Sequence, residues 1–322
     1  MIINKRALYR GIIMYFQSTL KNRIDLEGVG IHSGNRSSLS LIPAPPDTGI
    51  VFLPIQNGDA SNGVRASIEN LLFTNNAITI GAGGLNIQTI EHFMATFYAY
   101  DITNLYVLVE GNELPILDGS AQKIVGAIES VGIKIQNAFQ EVFSIPYPVW
   151  LEHNSRYLIA LPSDEFKITY TIDFTSKSQA IGTQTAHFTI DRSTFKESIA
   201  PARTFGFSED LYTMKSNNLA LGGTLENALL FTRDSLVNDH LRFPNECVRH
   251  KILDLIGDLS LLGFKVRGHI IAHKAGHSMD AELVKRIYKM MKRKQTSRNI
   301  SRYILRRKEI EFNKFKRKIN LL

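Results

Sequence analysis

Two segments of the sequence carry side chains whose types and spacing could hold a metal ion. In the first segment His250, Asp254 and Asp258 are spaced i, i+4 and i+8, so on a helix an imidazole and two carboxylates share one face. His250 and Asp254 can therefore chelate one ion. Most His-x-x-x-Asp pairs are solvated neighbours on a helix surface, so this pattern alone leaves both interpretations open.

The second segment, residues 88–92, places Glu91 and His92 at the start of an apolar helix. Adjacent residues cannot share one helical face, but in a first turn both can point into a cleft in front of the helix. Adding His92 to His250 and Asp254 gives two imidazoles and one carboxylate with an open fourth position, which is typical of hydrolytic zinc sites. Such an ion lowers the pKa of a water molecule to about 7, and Glu91 could hold or remove its proton.

Two further histidines are weaker candidates. His277 follows Gly276 at a predicted helix start, where it could donate a proton to a leaving group or stabilise developing negative charge. An ordinary histidine near a helix end is the commoner explanation of that pattern. His32 lies among the glycines of residues 28–34, and we interpret it as a turn residue.

The elements that must position these residues alternate along the chain. Strands are predicted by alternating or β-rich stretches at Ser37–Leu41, Leu105–Glu110, Tyr157–Leu161, Lys167–Phe174 and Ala186–Ile190. Helices are predicted by apolar spacing at Thr89–Tyr98, Ser120–Val131 and Asn245–Leu262. Because strands and helices are interleaved, the fold class is mixed α and β.

A polar interruption at residues 136–140, inside the stretch 132–148, follows the close of one helix and strand unit. We place a domain boundary there. The predicted organisation is an N-terminal extension, two domains and a basic tail, at residues 1–18, 19–138, 139–290 and 291–322. Residues 81–84 are glycine-rich but lack the Gly-Lys-Ser/Thr ending of a phosphate-binding loop, so they are interpreted as a turn.

The composition is that of a globular protein. Of 322 residues, 44% are hydrophobic and 21% are charged, which excludes a disordered chain. The single cysteine, Cys247, excludes an intramolecular disulfide and a Cys-rich zinc knuckle. No apolar run approaches the roughly 20 residues that span a bilayer, and no signal peptide is recognised after Met1, although Met14 offers an alternative start. The expected location is the cytosol.

The net charge of +8 belongs to one end of the chain. Residues 285–322 carry 15 Lys and Arg against two Glu, a net +13, whereas residues 1–284 carry 23 basic and 28 acidic side chains, a net −5. A basic arm on a compact body also fits a nucleic-acid-binding protein, which is the alternative function. A nucleic-acid-binding function would not explain the candidate metal ligands and their neighbours.

Five motifs occur in order between about Leu20 and Arg286. They are Thr89-Ile90-Glu91-His92, Leu114-Pro115-Ile116-Leu117-Asp118-Gly119-Ser120, Ala202-Arg203-Thr204-Phe205-Gly206-Phe207, Val248-Arg249-His250-Lys251 with Asp254 and Gly257-Asp258, and Gly276-His277. Together these motifs resemble those of the UDP-3-O-acyl-N-acetylglucosamine deacetylases, which are zinc amidases of lipid A biosynthesis in Gram-negative-type bacteria. The resemblance implies a hydrolase that removes the N-acetyl group of UDP-3-O-acyl-N-acetylglucosamine and releases acetate, the committed step of lipid A synthesis.

The same resemblance implies a role for each candidate residue. Zn²⁺ would be the cofactor, and the implied ligands are His92, His250 and Asp254. Glu91 would be the general base, and His277 the general acid or charge stabiliser.

Further implied residues surround this set. Lys251 would lie near the tetrahedral oxyanion and contact the substrate, and Asp258 would orient His277. Thr204, as a catalytic residue, and Phe205, as a substrate-binding residue, would lie near the scissile acetamide.

The implied fold is α+β, with two related domains. Each domain is a sheet covered by helices, and the helix layers pack together with the active-site cleft between the domains. An insert in the second domain forms an apolar passage for the 3-O-acyl chain, here expected after Asp173-Phe174. The family often continues with His-Pro at that point, whereas this chain has Thr175-Ser176-Lys177-Ser178, so the lining of the passage differs.

The basic tail is a second departure, because members of the family commonly end soon after the helix that follows His277. On a helix its apolar residues form a stripe with basic residues around it, at Phe312, Phe315, Ile319 and Leu322. Such a segment can lie on an anionic membrane surface, so we expect peripheral contact with the inner membrane, or with the membrane of an organelle of bacterial descent. A solvated tail and non-specific RNA binding remain alternatives, and no specific nucleic acid is expected.

Overall fold

The computed structural model describes residues 6–9, 12–55 and 63–296. The apolar stripe predicted for the basic tail, 312–322, lies outside the described residues. The described residues up to Val284 belong to one compact unit, and those from Lys285 to residue 296 belong to a second unit.

Strands and helices alternate through the described chain. The strands are β1 (Arg6–Tyr9), β2 (Ile12–Leu20), β3 (Ile24–Val29), β4 (Arg36–Pro43), β5 (Ile50–Pro54), β6 (Val64–Arg65), β7 (Leu71–Phe73), β8 (Thr79–Ala82), β9 (Leu85–Gln88), β10 (Leu105–Glu110), β11 (Ile133–Phe139), β12 (Val142–Ser144), β13 (Val149–His153), β14 (Arg156–Leu161), β15 (Phe166–Asp173), β16 (Thr183–Thr189), β17 (Phe205–Phe207), β18 (Leu229–Phe231) and β19 (Lys265–His273). The helices are α1 (Glu91–Ala99), α2 (Gln122–Val131), α3 (Arg192–Thr194), α4 (Leu211–Ser216), α5 (Glu246–Ser260) and α6 (277–296).

The first of two larger sheets has the strand order β3-β4-β10-β5-β6. Strand β10 lies in the middle, antiparallel to β4 and parallel to β5. Its alternating residues Leu105, Val107 and Val109 are buried, as the period-2 pattern of the sequence requires for a sheet with one covered face. Helix α2 packs near β3 and also contacts α1.

The second larger sheet has the order β13-β14-β19-β15-β16, and β12 pairs with β19 off this path. Strand β19 lies in the middle, antiparallel to β14 and parallel to β15. Its residues Val266, Ile270 and Ala272 are buried on one face, while the alternating positions between them are partly exposed. Helix α5 packs against β15 and β16, which covers the buried face.

Helices α1 and α5 pack against each other and so join the two helix layers. Every residue of α1 is buried, which is expected for a short helix that is enclosed on all sides. The two helices approach each other closely at Gly257, where a Cβ atom would overlap the backbone carbonyl of Glu91. Only a residue without a side chain lets α5 lie this close to the first turn of α1.

The sequence-based elements agree with this α+β fold. Strand β10 has the predicted limits, and β4, β14, β15 and β16 overlap their predicted stretches. The hairpin between β8 and β9 turns at Gly83 and Gly84, both with positive φ, as predicted for the 81–84 segment. Strand β2 begins at Ile12 and pairs with β11, so part of the segment predicted as an N-terminal extension is paired within a three-stranded sheet.

Helix α1 begins at Glu91, two residues later than predicted. Thr89 adopts a left-handed backbone with φ of 60°, which cannot continue into a helix. Its hydroxyl group donates to Glu113 at 3.1 Å, so it does not cap α1. Among the described residues, no helix combines the length and the apolar character that crossing a membrane requires.

The contact at Gly257 gives a first prediction. Gly257→Ala should lower the free energy of unfolding by about 1–3 kcal/mol, the usual cost of forcing extra volume into a packed interior. Gly126→Ala is the matched control, because Gly126 lies exposed within α2 and an added Cβ there meets no atom within 4 Å. The control should raise stability by about 0.5–1 kcal/mol.

Urea unfolding of the two variants and the unmodified protein, at one pH and one zinc concentration, measures both effects. Equal stability of Gly257→Ala and the unmodified protein would show that the two helices are not held at this distance.

Candidate active site

Three buried side chains from α1 and α5 bring possible ligand atoms together. His92, His250 and Asp254 each offer one such atom, and these atoms lie within 4.8 Å of one another. Nε2 of His250 is 3.4 Å from Oδ1 of Asp254, and Nε2 of His92 is 3.8 Å from the same oxygen. Ligands about 2.1 Å from a tetrahedral ion are separated by about 3.4 Å, so the spacing of these three atoms fits such an ion.

Neighbouring groups orient two of these side chains. Nδ1 of His250 lies 3.1 Å from the carbonyl oxygen of Ala202, to which it can donate. Nε2 of the neutral ring is then unprotonated and can bind a metal ion. The ammonium of Lys251 donates to Oδ2 of Asp254 at 2.7 Å, which leaves Oδ1 as the oxygen that can bind an ion together with the two imidazoles. We refer to His92, His250 and Asp254 below as the ligand trio.

Burial sets the protonation states of the ligand trio. It lowers the pKa of His92 to about 3 and also lowers the pKa of His250, so both rings are neutral near pH 7. Burial alone would raise the pKa of Asp254. The ammonium of Lys251 and the neighbouring histidines outweigh burial, and they hold this pKa well below its usual range. Neutral imidazole and ionised carboxylate are the forms that bind a cation, so the donor set fits zinc.

Glu91 is the first residue of α1 and precedes His92, as the sequence indicated. Its side chain is buried, and its Oε2 accepts a hydrogen bond from the backbone N–H of Ile78 at 3.2 Å. Burial raises the pKa of Glu91 to about 7, although the nearby His277 opposes that shift. A carboxyl group that titrates near neutral pH can both accept and release a proton.

His277 lies at the first residue of α6, and its ring is fixed from α5. Its Nδ1 is 2.8 Å from Oδ2 of Asp258, which is nearly fully buried. When Nδ1 donates this hydrogen bond, Nε2 is the ring nitrogen that can take up or release a proton. The i, i+4, i+8 spacing on α5 therefore serves two purposes, because His250 and Asp254 belong to the ligand trio and Asp258 contacts His277.

The segment of Thr204 and Phe205 borders the ligand trio. The ring of Phe205 is 6.3 Å from the ring of His250 and 5.5 Å from that of Phe174. The backbone of Thr204 bonds Gly119 on one side and Leu229 on the other, which fixes the start of β17. Phe205 is therefore next to a ligand, while Thr204 takes its position from this backbone pairing.

Two arginine ion pairs hold the other motifs in place. Arg203 pairs with Glu246 at 2.8 Å, which ties the segment just before β17, where Thr204 lies, to the first residue of α5. Arg242 pairs with Asp118 at 2.8 Å. The Asp-Gly-Ser motif at residues 118–120 thus has a structural contact of its own.

Sequence reasoning missed Glu113. Its buried carboxylate accepts hydrogen bonds from the backbone N–H groups of His32 and Ser33, each at 2.8 Å, and from the hydroxyl of Thr89. It thus ties the turn that contains His32 to the strained residue in front of α1. His32 is a turn residue, as predicted, and it is also buried. Nothing in the sequence distinguishes Glu113 from a surface glutamate.

Comparison with known proteins agrees with this geometry. The model of one family, the UDP-3-O-acyl N-acetylglycosamine deacetylases, matches residues 17–289. A protein of Leptospira biflexa named UDP-3-O-acyl-N-acetylglucosamine deacetylase is 42% identical over 270 residues, which cover 84% of this chain and 88% of that protein.

Two further organisms have proteins of the same name. The one from Thermodesulfovibrio yellowstonii is 40% identical over 85% of this chain and 92% of its own length. The one from Chlamydia trachomatis is 38% identical over 87% of this chain and 97% of its own length. The match to the family model covers all the site residues described above, and the chain belongs to the UDP-3-O-acyl N-acetylglycosamine deacetylase family.

Proposed function

We propose that this protein hydrolyses the acetamide of UDP-3-O-acyl-N-acetylglucosamine, giving UDP-3-O-acyl-glucosamine and acetate in the committed step of lipid A biosynthesis. The ligand trio carries the proposal, because its three buried donors lie beside a carboxyl group and a histidine that can transfer protons. The names of the relatives give the substrate. One water molecule is consumed for each amide bond broken.

Zinc is the cofactor that fits the ligand trio, with His92, His250 and Asp254 as its ligands. When bound there, zinc supplies a Lewis acid that polarises the acetyl carbonyl and makes water more acidic. The residues of the chain perform the remaining steps.

Glu91 is the general base in this proposal. Its carboxylate removes a proton from the attacking water as the oxygen–carbon bond forms at the acetyl carbonyl. A pKa near 7 supports this role, because the Glu91 side chain can then both accept the proton and return it.

Lys251 and His277 act on the charges that develop during this attack. Burial lowers the pKa of Lys251, but the carboxylate of Asp254 outweighs it and raises this pKa, so the ammonium stays charged and can stabilise the oxyanion. His277, held through Nδ1 by Asp258, is suited to protonate the departing nitrogen from Nε2. Cleavage of the carbon–nitrogen bond then leaves acetate and the free amine.

Thr204 and Phe205 would orient the acetamide beside the ligand trio. Phe205 also contacts Phe174 and Phe207, whose ring centroids lie 5.5 Å and 6.1 Å from its own. We infer that this aromatic cluster lines the apolar passage for the 3-O-acyl chain, because it begins at Phe174 and reaches the ring of His250.

We also propose that the two larger sheets belong to separate domains, at residues 19–138 and 139–290, with the substrate cleft at their helix layers. The location proposed is the cytoplasm, with the tail from residue 291 in peripheral contact with an anionic membrane. The acyl chain of the substrate gives a reason for the enzyme to be near lipid.

The ligand assignment predicts the zinc content. Protein purified without chelator should hold about one zinc per chain, and His250→Ala should lose it, because removal of one of three ligands sharply lowers affinity. His153→Ala, at an exposed histidine of β13, is the control and should keep the metal. Elemental analysis measures all three. Full retention of zinc by His250→Ala would overturn the ligand assignment.

The assigned proton transfers predict rate losses without metal loss. Glu91→Ala and His277→Ala should each keep zinc and lose roughly 10²- to 10⁴-fold in kcat, the usual contribution of a positioned acid or base. Glu152→Ala changes an exposed glutamate of β13 and should be as active as the unmodified enzyme. Acetate release at saturating substrate measures these rates. Near-normal turnover in both site variants would contradict the two roles.

The membrane proposal predicts that the tail is needed for lipid binding and not for turnover. Removal of residues 297–322 should abolish co-sedimentation with anionic vesicles, since each basic residue near such a surface contributes about 1 kcal/mol. Neutral vesicles are the control and should bind neither form. Equal binding of both forms to anionic vesicles, or loss of activity on dispersed substrate after truncation, would refute this proposal.

A further inference from the structure

A second group of ionisable side chains surrounds the first turn of α6. Asp258, His277 and Asp280 each have a polar atom within 4.8 Å of the others. Asp280 lies three residues after His277 and its relative exposure is 0%. The roles proposed above use Asp258 and His277 but leave Asp280 without one.

The carboxyl group of Asp280 is buried and receives no hydrogen bond from the described residues. Both of its carboxyl oxygens, and Oδ1 of Asp258, are enclosed and accept no hydrogen bond from any residue in the described part of the chain. The two carboxyl groups are close enough to form a hydrogen bond if one of them carries a proton. Two ionised carboxylates in this position would repel each other, and neither would be solvated.

The charged and titratable groups around the pair do not neutralise a second carboxylate. Lys251 faces Asp280 from α5, but its ammonium is paired with a carboxylate of the ligand trio. Tyr170 faces it from β15, and burial raises the pKa of this phenol well above its usual value, so it stays neutral. His277, on the same helix, already bonds Asp258 through Nδ1.

We propose that Asp258 and Asp280 hold one proton between them and that Asp280 is a positioning residue for His277. With the proton on Asp280, its hydroxyl group donates to Asp258, whose other oxygen accepts from Nδ1 of His277. This chain of two hydrogen bonds fixes the Asp258 carboxylate and leaves a single negative charge on the pair. The inference rests on the proposed function only in giving His277 a proton to transfer.

The electrostatics agree with this arrangement. Burial, and then the negative charge of Asp254, raises the pKa of Asp258 well above the usual range. Burial, and then the negative charge of Asp258, does the same for Asp280. Such a pair titrates as a unit, so the shared proton belongs to the pair and is not lost at neutral pH.

Asp280→Asn tests the shared proton, because the amide keeps the shape and the donor of the protonated acid but cannot ionise. A carboxyl group whose pKa is raised by folding stabilises the fold fully only below its unfolded pKa of about 4, and that stability is lost as the pH rises toward the folded pKa. The stability of Asp280→Asn relative to the unmodified holoenzyme should therefore increase from pH 5 to pH 9. Asp164→Asn, at an exposed aspartate, is the control and should show no such trend.

Denaturant midpoints of the zinc-loaded proteins measure this difference at each pH. An Asp280→Asn protein that is less stable than the unmodified protein at pH 8, or a difference that does not grow with pH, would overturn the proposal.

Infrared spectroscopy tests the proton directly. The difference spectrum between the unmodified protein and Asp280→Asn at pH 7 should contain the carbonyl band of a protonated carboxylic acid. Absence of that band would overturn the proposal. A second equivalent of zinc that is bound by the unmodified protein and lost in Asp280→Asn would also overturn it, because a cation would then occupy the place of the proton.

Kinetics test the positioning role. Asp280→Ala should lower kcat at least about tenfold with little change in KM or zinc content, as is usual when a partner of a functional histidine is removed. Asp280→Asn should restore kcat to within about threefold of the unmodified enzyme. Normal turnover in Asp280→Ala would refute the positioning role. An inactive unmodified enzyme that still shows the infrared band would instead refute the proposed function and leave the shared proton standing.

Discussion

The close approach of α5 to the first turn of α1 is the constraint on which the site depends. Gly257 lies against the backbone of Glu91, so the two helices meet at the residues that carry the site. One member of the ligand trio comes from α1 and two come from α5, so both helices are needed to assemble it. Because the ligand atoms must lie within a few ångströms of one another, a shift of one helix would separate them. The packing of the helix layers and the geometry of the ligand trio therefore depend on the same contact between α1 and α5.

Burial is the second general feature of the site, and its effect depends on the neighbours of each group. It keeps His92 and His250 neutral, which suits ligands, and it raises the pKa of Glu91 toward neutrality, which suits a base. Lys251 overcomes the same effect at Asp254, because its ammonium is in direct contact with that carboxylate. A common apolar environment thus gives two adjacent residues of α1 different chemistry.

Much of this arrangement could be predicted from the sequence, because it depends on periodicity. The spacing of His250, Asp254 and Asp258 requires only a helix, and alternation along β10 requires only a half-buried strand. The meeting of α1 with α5 could not be derived from spacing, since it depends on contacts between residues far apart in sequence. Glu113 and Asp280 were missed for the same reason, because their importance lies in which groups surround them after folding.

The start of α1 shows how local preference yields to such contacts. Thr89 is a residue type that often caps helices, yet its hydroxyl bonds Glu113 and its backbone is left-handed, which is unfavourable for a β-branched residue. Ile90 follows and provides no side-chain cap, and the N-terminus of α1 is the positive end of the helix dipole. That end lies at Glu91, where a carboxylate is ionised and protonated in turn during the proposed reaction. The hydrogen bond from Thr89 to Glu113 therefore stabilises the strained backbone in front of the helix. As a result α1 begins at Glu91, the proposed base.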